Sequence, residues 1–290
     1  MARDIFQEVT DRIIAQLESG VIPWVKPWKN DSTSIGAHNA VSGKPYRGIN
    51  QVLLWNPVGS EGDGWLTFKQ ARDVGANVRK GETGSLVVFF KPWKIKDVNN
   101  PEGEEKTIPL IRNFVVFHTS QIDGLPEKYQ ANPCQPMPQI ERIERGERIM
   151  SQACVSHGGN RAYFSPANDA IQLPHPAQFK SIGDYYATGL HELTHWTGAK
   201  GRCDRDFSGR FGSSAYAREE LVAEMGAAFL LQHCQIAGEM QHASYLASWI
   251  EVLKEDKKAV VTAASKAQQA VDFILKVNIK EQDEDEVIAA

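Results

Sequence analysis

The chain has 290 residues, of which 42% are hydrophobic and 23% charged, and its formal net charge is −4. This length allows two domains with cores of their own, and the composition is typical of a globular protein. The net charge argues against a uniformly basic nucleic-acid-binding protein. The sequence contains no apolar run of about 18 residues and no signal-peptide core at its N-terminus, so we expect a cytoplasmic protein that does not use a membrane. Its four cysteines are widely spaced and lack a CxxC pair, which favours reduced thiols.

The first part of the chain, residues 1–126, predicts a small α+β domain. In chain order the predicted elements are a helix over 3–19, an extended segment over 22–29, a turn and helix start over 39–50, a strand or short helix over 65–68, a helical turn over 70–75, and strands at 85–91 and 114–118 around a polar loop. Residues 1–126 carry 15 Lys and Arg against 14 Asp and Glu, and the rest carries 17 against 22. Any nucleic-acid contact in the first part must therefore depend on a local patch.

A proline-rich segment over 127–139 predicts a linker, and a mainly helical domain with a short sheet is expected over 140–278. Its predicted elements are a helix over 140–157, strands at 161–164 and 169–174, a helix from Asp184 (as N-cap) to Gly198, and helices over 216–235, 240–254 and 256–275. The strand pair could offer an edge to which an extended peptide adds. The acidic residues 281–286 predict that 279–290 is a disordered tail.

The segment 189–196 contains a His-Glu-x-x-His pattern. On a helix, positions i and i+4 share a face, so His191 and His195 can direct both imidazoles at one metal ion. Glu192 lies beside that point and can take a proton from a water on the metal. The pattern predicts a catalytic metal site with two nitrogen ligands, a third ligand from elsewhere and one open position. The alternative is a structural helix with two unrelated histidines.

The third ligand has two candidates on the predicted helix that follows. Glu220 and Glu224 lie four residues apart and therefore share a face. We assign Glu220 to the metal and Glu224 to orienting a ligand histidine, and the reverse assignment stays open. The other interpretation is that both are solvated surface charges. A His₂Glu set favours zinc, although manganese or another divalent ion also fits an exposed site.

Tryptophans and cations alternate in the first part of the chain. Aromatic faces can stack on bases while cations contact phosphates, which is what binding of single-stranded nucleic acid requires. Tryptophans are more often core residues, so composition alone is a weak signal. The side chains that we select on this chemistry are Trp24, Trp28, Lys29, Arg47, Lys69, Lys80, Lys91 and Trp93.

Several longer motifs resemble the ArdC antirestriction family. In the first half these include Tyr46-Arg47-Gly48-Ile49-Asn50, Thr67-Phe68-Lys69-Gln70-Ala71 and Lys80-Gly81-Glu82, and in the second half His191 to Gly198 and Glu219 to Glu224. The first half resembles the family's N-terminal domain, and the second is similar to the zincin-like metallopeptidase domain that follows it there. Related N-terminal domains occur in plasmid conjugation primases of the TraC type. Since no polymerase-like remainder is present, the stand-alone ArdC form fits better.

The resemblance implies that residues 1–126 bind single-stranded DNA, that the second domain holds a divalent metal, and that the protein protects an incoming mobile element from restriction. The leading hypothesis is a metallopeptidase acting on proteins bound to that strand, such as restriction subunits, with Tyr216 or a nearby donor assisting the oxyanion. The alternative is a non-catalytic DNA- or partner-binding protein with a structural or regulatory metal. A metal-dependent nuclease is disfavoured, because two-metal nuclease sites prefer carboxylate-rich ligand sets.

Overall fold

The computed structural model describes residues 4–25, 36–55, 63–95, 106–130, 138–210, 212–239 and 245–276, and only the backbone of 91–95 and 106–110. Contacts divide these residues into two units. The first unit contains the described residues within 1–36, 47–62 and 133–278, and the second contains those within 37–46 and 63–132. Helices predominate in the first unit and strands in the second, so the predicted α+β class is confirmed.

The helices and strands of the described residues follow in chain order. The helices are α1 (Ile5–Glu18), α2 (Ile49–Leu53), α3 (Phe68–Asp73), α4 (Gln139–Met150), α5 (Ile182–Thr197), α6 (Ser214–Cys234), α7 (Leu246–Glu255) and α8 (Ala259–Leu275). The strands are β1 (His38–Asn39), β2 (Gly64–Thr67), β3 (Asn77–Val78), β4 (Ser85–Ile95), β5 (Lys106–His118), β6 (Ile122–Asp123), β7 (Cys154–His157), β8 (Tyr163–Ser165) and β9 (Ala170–Leu173). None of these helices is both long enough and apolar enough to cross a membrane.

The second unit is built around a sheet with strand order β1-β2-β5-β4, in which β4 and β5 form a long antiparallel pair. Thr67 ends β2 and begins α3 through a capping box, in which its hydroxyl and the Gln70 side chain each bond the other's backbone. The direct turn of the chain from β2 into α3 places this helix against one face of the sheet. Leu66 and Ala71 are fully buried there, in a small apolar cluster with Ile122.

The first unit is organised by the contact between α5 and α6. Gly226 of α6 allows this close approach, because a Cβ at that position would lie 2.5 Å from Cγ2 of the buried Thr194 on α5. Helix α8 packs on α6, and a sheet of order β7-β9-β8 lies beside α5. Metal ligands placed on α5 and α6 would therefore face each other across a rigid, close-packed boundary.

Two expectations for the second half are wrong. The predicted helix over 140–157 ends at Met150, and residues 154–157 form β7, which pairs in parallel with β9. Pairing with β9 stabilises a strand at 154–157, although the sequence pattern there favours a helix. The metal helix is capped by Ser181 rather than Asp184, since the Ser181 hydroxyl accepts a hydrogen bond from the Asp184 backbone N–H at 3.1 Å. Asp184 instead lies in the first turn, where its carboxylate accepts from the backbone N–H of Glu239.

The N-terminal helix belongs to the first unit, whereas the sequence pattern predicts it as part of a domain over 1–126. Helix α1 packs on α7, and the Thr10 hydroxyl donates to the backbone carbonyl of Lys257 at 2.8 Å. Helix α2 packs on α8 in the same way. The predicted linker over 127–139 spans the point at which the chain passes from the second unit to the first.

Candidate metal centre

Helix α5 brings the two histidines of the motif together. The Nε2 atoms of His191 and His195 lie 3.1 Å apart, and both side chains are largely buried. One helical turn separates the two residues, so their rings emerge from the same face. The arrangement presents two nitrogen donors toward a single point.

Helix α6 supplies a carboxylate at that point. The two oxygens of Glu220 lie 3.4 Å from Nε2 of His191 and 3.5 Å from Nε2 of His195. Two ligands about 2.0–2.1 Å from a zinc ion at tetrahedral angles are themselves about 3.3 Å apart. The donor set His191, His195 and Glu220 therefore fits a divalent cation in both chemistry and spacing, and it is the three-residue metal-ligand cluster found among the described residues.

A buried ion pair between Glu219 and Arg205 contacts the His195 ring at Nδ1, the nitrogen that faces away from Glu220. The Nδ1 atom of His195 lies 3.1 Å from Oε1 of Glu219, and the Arg205 guanidinium donates to the same carboxylate through Nε at 3.0 Å and Nη2 at 2.9 Å. Arg205 also donates to the Thr197 hydroxyl and the Thr194 carbonyl. Because an ionised carboxylate only accepts hydrogen bonds, Nδ1 carries the proton and Nε2 offers its lone pair to a metal.

The carboxylates of the centre favour a positive charge between them. Burial alone would lower the pKa of His195, but hydrogen bonds to Glu219 and Glu220 outweigh it and raise the pKa to about 10, so without a metal Nε2 also carries a proton, which a bound metal ion replaces. Burial disfavours the ionised form of Glu220 and alone would raise its pKa. Hydrogen bonds with His191 and His195 outweigh burial and lower the pKa of Glu220 well below its usual value. The pKa of Glu219 is also lowered, because bonds from His195 and Arg205 offset burial. Both carboxylates are thus ionised at neutral pH.

The centre opens into a cavity of about 640 Å³. Glu192 lines this cavity beside His191 and Glu220, so it can contact a water or substrate at the centre. Glu224 lines it as well and is 2% exposed, with Oε1 3.9 Å from Nδ1 of His191. Its carboxylate lies on the outer side of the His191 ring, whereas Glu220 faces both Nε2 atoms.

A tyrosine pair begins at this cavity. Tyr245 lines the cavity, and its hydroxyl is 3.2 Å from that of Tyr216 on α6. Burial raises the pKa of both phenols, so each keeps its proton at neutral pH and can donate a hydrogen bond. Tyr245 stacks on Trp249, with ring centroids 5.9 Å apart.

The structure corrects the role expected of Trp24. Its side chain is fully buried and packs edge-to-face on Trp249 with ring centroids 5.5 Å apart, so the ring cannot stack on a base. Trp24 instead belongs to the core behind Tyr245. Proline and lysine neighbours gave it an exposed pattern in the sequence, and only its contact with Trp249 of α7 identifies it as a core residue.

The other residues predicted to contact DNA divide into three groups. Arg47 forms an ion pair with Asp272 of α8 in the first unit. Lys69 and Lys80 are exposed in the second unit, with the Lys69 side chain 76% exposed. Trp28 and Lys29, and the side chains of Lys91 and Trp93, lie outside the described part of the chain.

Sequence reasoning missed the pair formed by Glu219 and Arg205. Glu219 directly precedes Glu220, the proposed ligand. Its position on a neighbouring face of the helix is typical of an exposed charge. Its neighbour in space, Arg205, lies in the irregular segment between α5 and α6 and has no periodic pattern. The signal that was available is an acidic pair at the start of a long apolar helix.

Two family models match the chain. The first, described as a zincin-like metallopeptidase, matches residues 144–266 and includes all three candidate ligands. The second, described as the N-terminal domain of the anti-restriction factor ArdC, matches residues 3–117. The second match begins with α1, which packs in the first unit.

Relatives and solved structures cover nearly the whole chain. The uncharacterized protein y4eC of Sinorhizobium fredii is 40% identical over 284 residues, or 93% of this chain and 91% of its own length. Two DNA primases TraC of Escherichia coli are 38% and 39% identical, and this chain spans 27% and 20% of their lengths. A metal-free crystal structure of the antirestriction ArdC protein from the R388 plasmid matches with a TM-score of 0.77 at 40% identity, covering 94% of this chain and 97% of that one. The Mn(II)-bound structure of that protein matches at 0.76 and 36%, covering 97% and 100%.

Proposed function

Because this chain belongs to the ArdC antirestriction family, we propose that it binds single-stranded DNA of an incoming mobile element and protects it with a metal-dependent peptidase site. The observation that carries the peptidase part is the meeting of two imidazoles and one carboxylate at the edge of an open cavity, with Glu192 beside them. A structural zinc site is closed by four protein ligands, whereas a catalytic one keeps a position open. The described ligand set provides three.

Each residue of the centre has a separate role in the proposed reaction. His191, His195 and Glu220 would hold a divalent cation, most readily zinc, which would supply Lewis-acid activation of a water and of a peptide carbonyl. Glu192 accepts the proton of the attacking water and passes it to the leaving amine. Tyr245, supported by Tyr216, donates a hydrogen bond to the carbonyl oxygen as negative charge develops on it.

An extended polypeptide suits the surroundings of the centre. Strand β8 is an edge of the three-stranded sheet, and an incoming strand can add to such an edge by backbone hydrogen bonds. The neighbouring cavity accepts a side chain of that polypeptide. Host proteins bound to the incoming DNA, such as restriction subunits, are the proposed substrates.

A local excess of cations in the second unit supports DNA binding. Residues 63–95 contain six Lys and Arg against three Asp and Glu. The ranges 37–46 and 63–132 together contain eleven against nine, because residues 96–105 contribute one Lys and four acidic residues, so a DNA contact depends on the local excess rather than on bulk charge. One unit that binds DNA and another that carries the peptidase site fit a protein that is concentrated on DNA and acts on proteins there.

The test is a protection assay on Glu192→Gln. Unmodified DNA is transferred into restricting cells that carry the unaltered chain, the variant or neither. We expect the variant to lose protection, because glutamine retains the shape of Glu192 but cannot accept the proton. Metal affinity and single-stranded DNA affinity of the purified variant serve as controls, and both should match those of the unaltered chain. Full protection by a variant with intact binding would contradict the peptidase mechanism and support a DNA- or partner-binding protein whose metal is structural or regulatory.

A further inference from the structure

The second unit carries a small exposed apolar surface next to α3. Among its described side chains, the exposed large hydrophobic residues are Phe68, 52% exposed, and Val115, 46% exposed. Phe117 lies beside them, with its ring centroid 6.5 Å from that of Phe68. We call these three residues the Phe68 patch.

The register of the sheet explains why the patch is continuous. The β2–β5 ladder pairs Leu66 with Phe117 and ends at Thr67 opposite Val116, so Phe68 begins α3 next to the position of Val115. Val115 and Phe117 are two residues apart on β5 and therefore share a face. Phe117 also packs against the apolar cluster under α3, which anchors one end of the patch.

Close backbone packing holds the patch in place. A Cβ at Gly84 would lie 2.3 Å from Cγ1 of Val115 and 3.0 Å from the Phe117 ring, so the backbone of residue 84 lies directly against both side chains. The capping box of Thr67 and Gln70 holds the backbone at Phe68, the first residue of α3. The backbone that carries the patch is therefore well defined, which lowers the entropy lost when a ligand binds to it.

Cations surround these aromatic side chains. Lys69 follows Phe68 directly and is 76% exposed, and Arg72 lies one helical turn beyond Phe68 on the same face and is also exposed. Asp73 lies 3.5 Å from Lys69 and is the acidic neighbour that offsets part of this charge. Residues 63–95, which include Phe68, contain six Lys and Arg against three Asp and Glu. An occupant with flat apolar faces and regularly spaced negative charges matches this surface.

We propose that the Phe68 patch is a base-stacking site for single-stranded DNA, with Lys69 and Arg72 contacting the phosphates on either side. This inference rests on the DNA-binding part of the proposed function and specifies where that binding occurs. Bases of a single strand are free to stack on an exposed ring, whereas those of a duplex are already stacked on one another. The patch therefore selects single strands over duplexes.

Four variants separate stacking from charge. Phe68→Leu keeps an apolar side chain but removes the ring, and we expect it to weaken binding of a labelled single-stranded oligonucleotide about 5- to 100-fold. Phe68→Tyr keeps the ring and should retain affinity. Lys69→Ala should reduce the slope of log affinity against log salt by about 0.7, as for one lost phosphate contact. Phe273→Leu, at an exposed phenylalanine of the first unit, is the matched control and should bind normally.

The readouts distinguish failure of this inference from failure of the proposed function. Fluorescence anisotropy over a salt series gives affinity and slope, and thermal unfolding confirms that each variant is folded. Normal affinity of folded Phe68→Leu would overturn the stacking site and leave DNA binding intact. An unaltered chain that does not bind single strands would overturn the DNA-binding function and the patch together. Equal loss of duplex and single-strand binding in Phe68→Leu would also contradict stacking.

Discussion

Replacing Glu219 with glutamine tests how the second imidazole of the metal centre is held. Glu219 accepts from Nδ1 of His195 at 3.1 Å and is itself fixed by two donors of Arg205. Glutamine keeps the size of the side chain but loses the charge, and its amide offers a single acceptor oxygen. His195 is then held less firmly with Nε2 facing the cation. Removing such a partner of a ligand histidine lowers metal affinity about 10- to 100-fold, and we expect a loss in this range.

The same substitution should also lower stability. The Arg205 side chain is only 3% exposed, so it would remain as a buried cation without its carboxylate. Breaking a buried pair on one side costs about 3–5 kcal/mol. Because Arg205 keeps its bonds to Thr197 and to the Thr194 carbonyl, we expect the lower end of this range.

Metal affinity is measured by titrating Zn(II) or Mn(II) into the metal-free protein in a calorimeter, and stability by thermal unfolding. Glu251→Gln makes the same chemical change at an exposed position of α7 and should alter neither quantity. The double variant Glu219→Leu with Arg205→Met replaces the pair by apolar side chains of similar size. It should recover much of the lost stability but not the lost metal affinity, since His195 still lacks its acceptor. Unchanged metal affinity in folded Glu219→Gln would refute this reasoning.

Three further predictions concern the fold and the surface. Trp24→Ala should destabilise the chain by about 3–5 kcal/mol in thermal unfolding, because the ring is fully buried, and should leave DNA affinity unchanged below the transition. Gly226→Ala should cost about 1–3 kcal/mol and weaken metal binding in calorimetry, because the added methyl group meets Thr194 and separates α5 from α6. Asp169→Asn should cost about 0.5 kcal/mol at neutral pH, since its ion pair with Arg202 is half-exposed. The bond from Arg202 lowers the pKa of Asp169 below 3.8, so this contribution is present above that pH and disappears as the pH falls below it, which acid-range unfolding curves would show.

Each of these three predictions has a control or an outcome that would contradict it. The added methyl group of Gly189→Ala meets the flexible end of Met150 most closely and Leu173 at 3.4 Å, so this change should cost less than Gly226→Ala, and the opposite order would contradict the packing argument. Asparagine tolerates the positive φ of 47° at residue 169, so that substitution removes the charge without straining the backbone. A DNA-binding defect in folded Trp24→Ala would argue for the stacking role that its burial excludes.

The spacing of residues a few positions apart was enough to predict helix α5, which carries the two histidines, and helix α6, which carries the candidate carboxylates. His191 and His195 share a face because of helical geometry, and the spacing of Glu220 and Glu224 limited the third ligand to two side chains. The structure places Glu220 opposite both Nε2 atoms and Glu224 beside the other nitrogen of His191. That distinction depends on the rotation of α6 against α5, which the close contact at Gly226 sets and no periodicity reveals.

Long-range packing accounts for what the sequence did not predict. Trp24 and α1 are close in sequence to the DNA-binding motifs, yet they form part of the core behind Tyr245 through Trp249. Segment 154–157 continues a helical pattern but pairs with a strand that lies more than ten residues later. The acidic residues of α1 lower the net charge of residues 1–126, yet α1 belongs to the other unit.

The most direct test of the metal centre is an anomalous difference map from crystals of the chain loaded with Mn(II) or Zn(II). We predict one strong peak within bonding distance of Nε2 of His191, Nε2 of His195 and the carboxylate of Glu220, with Glu219 on Nδ1 of His195. A peak ligated by Glu224 in place of Glu220, or an ion bound away from the two histidines, would contradict the account.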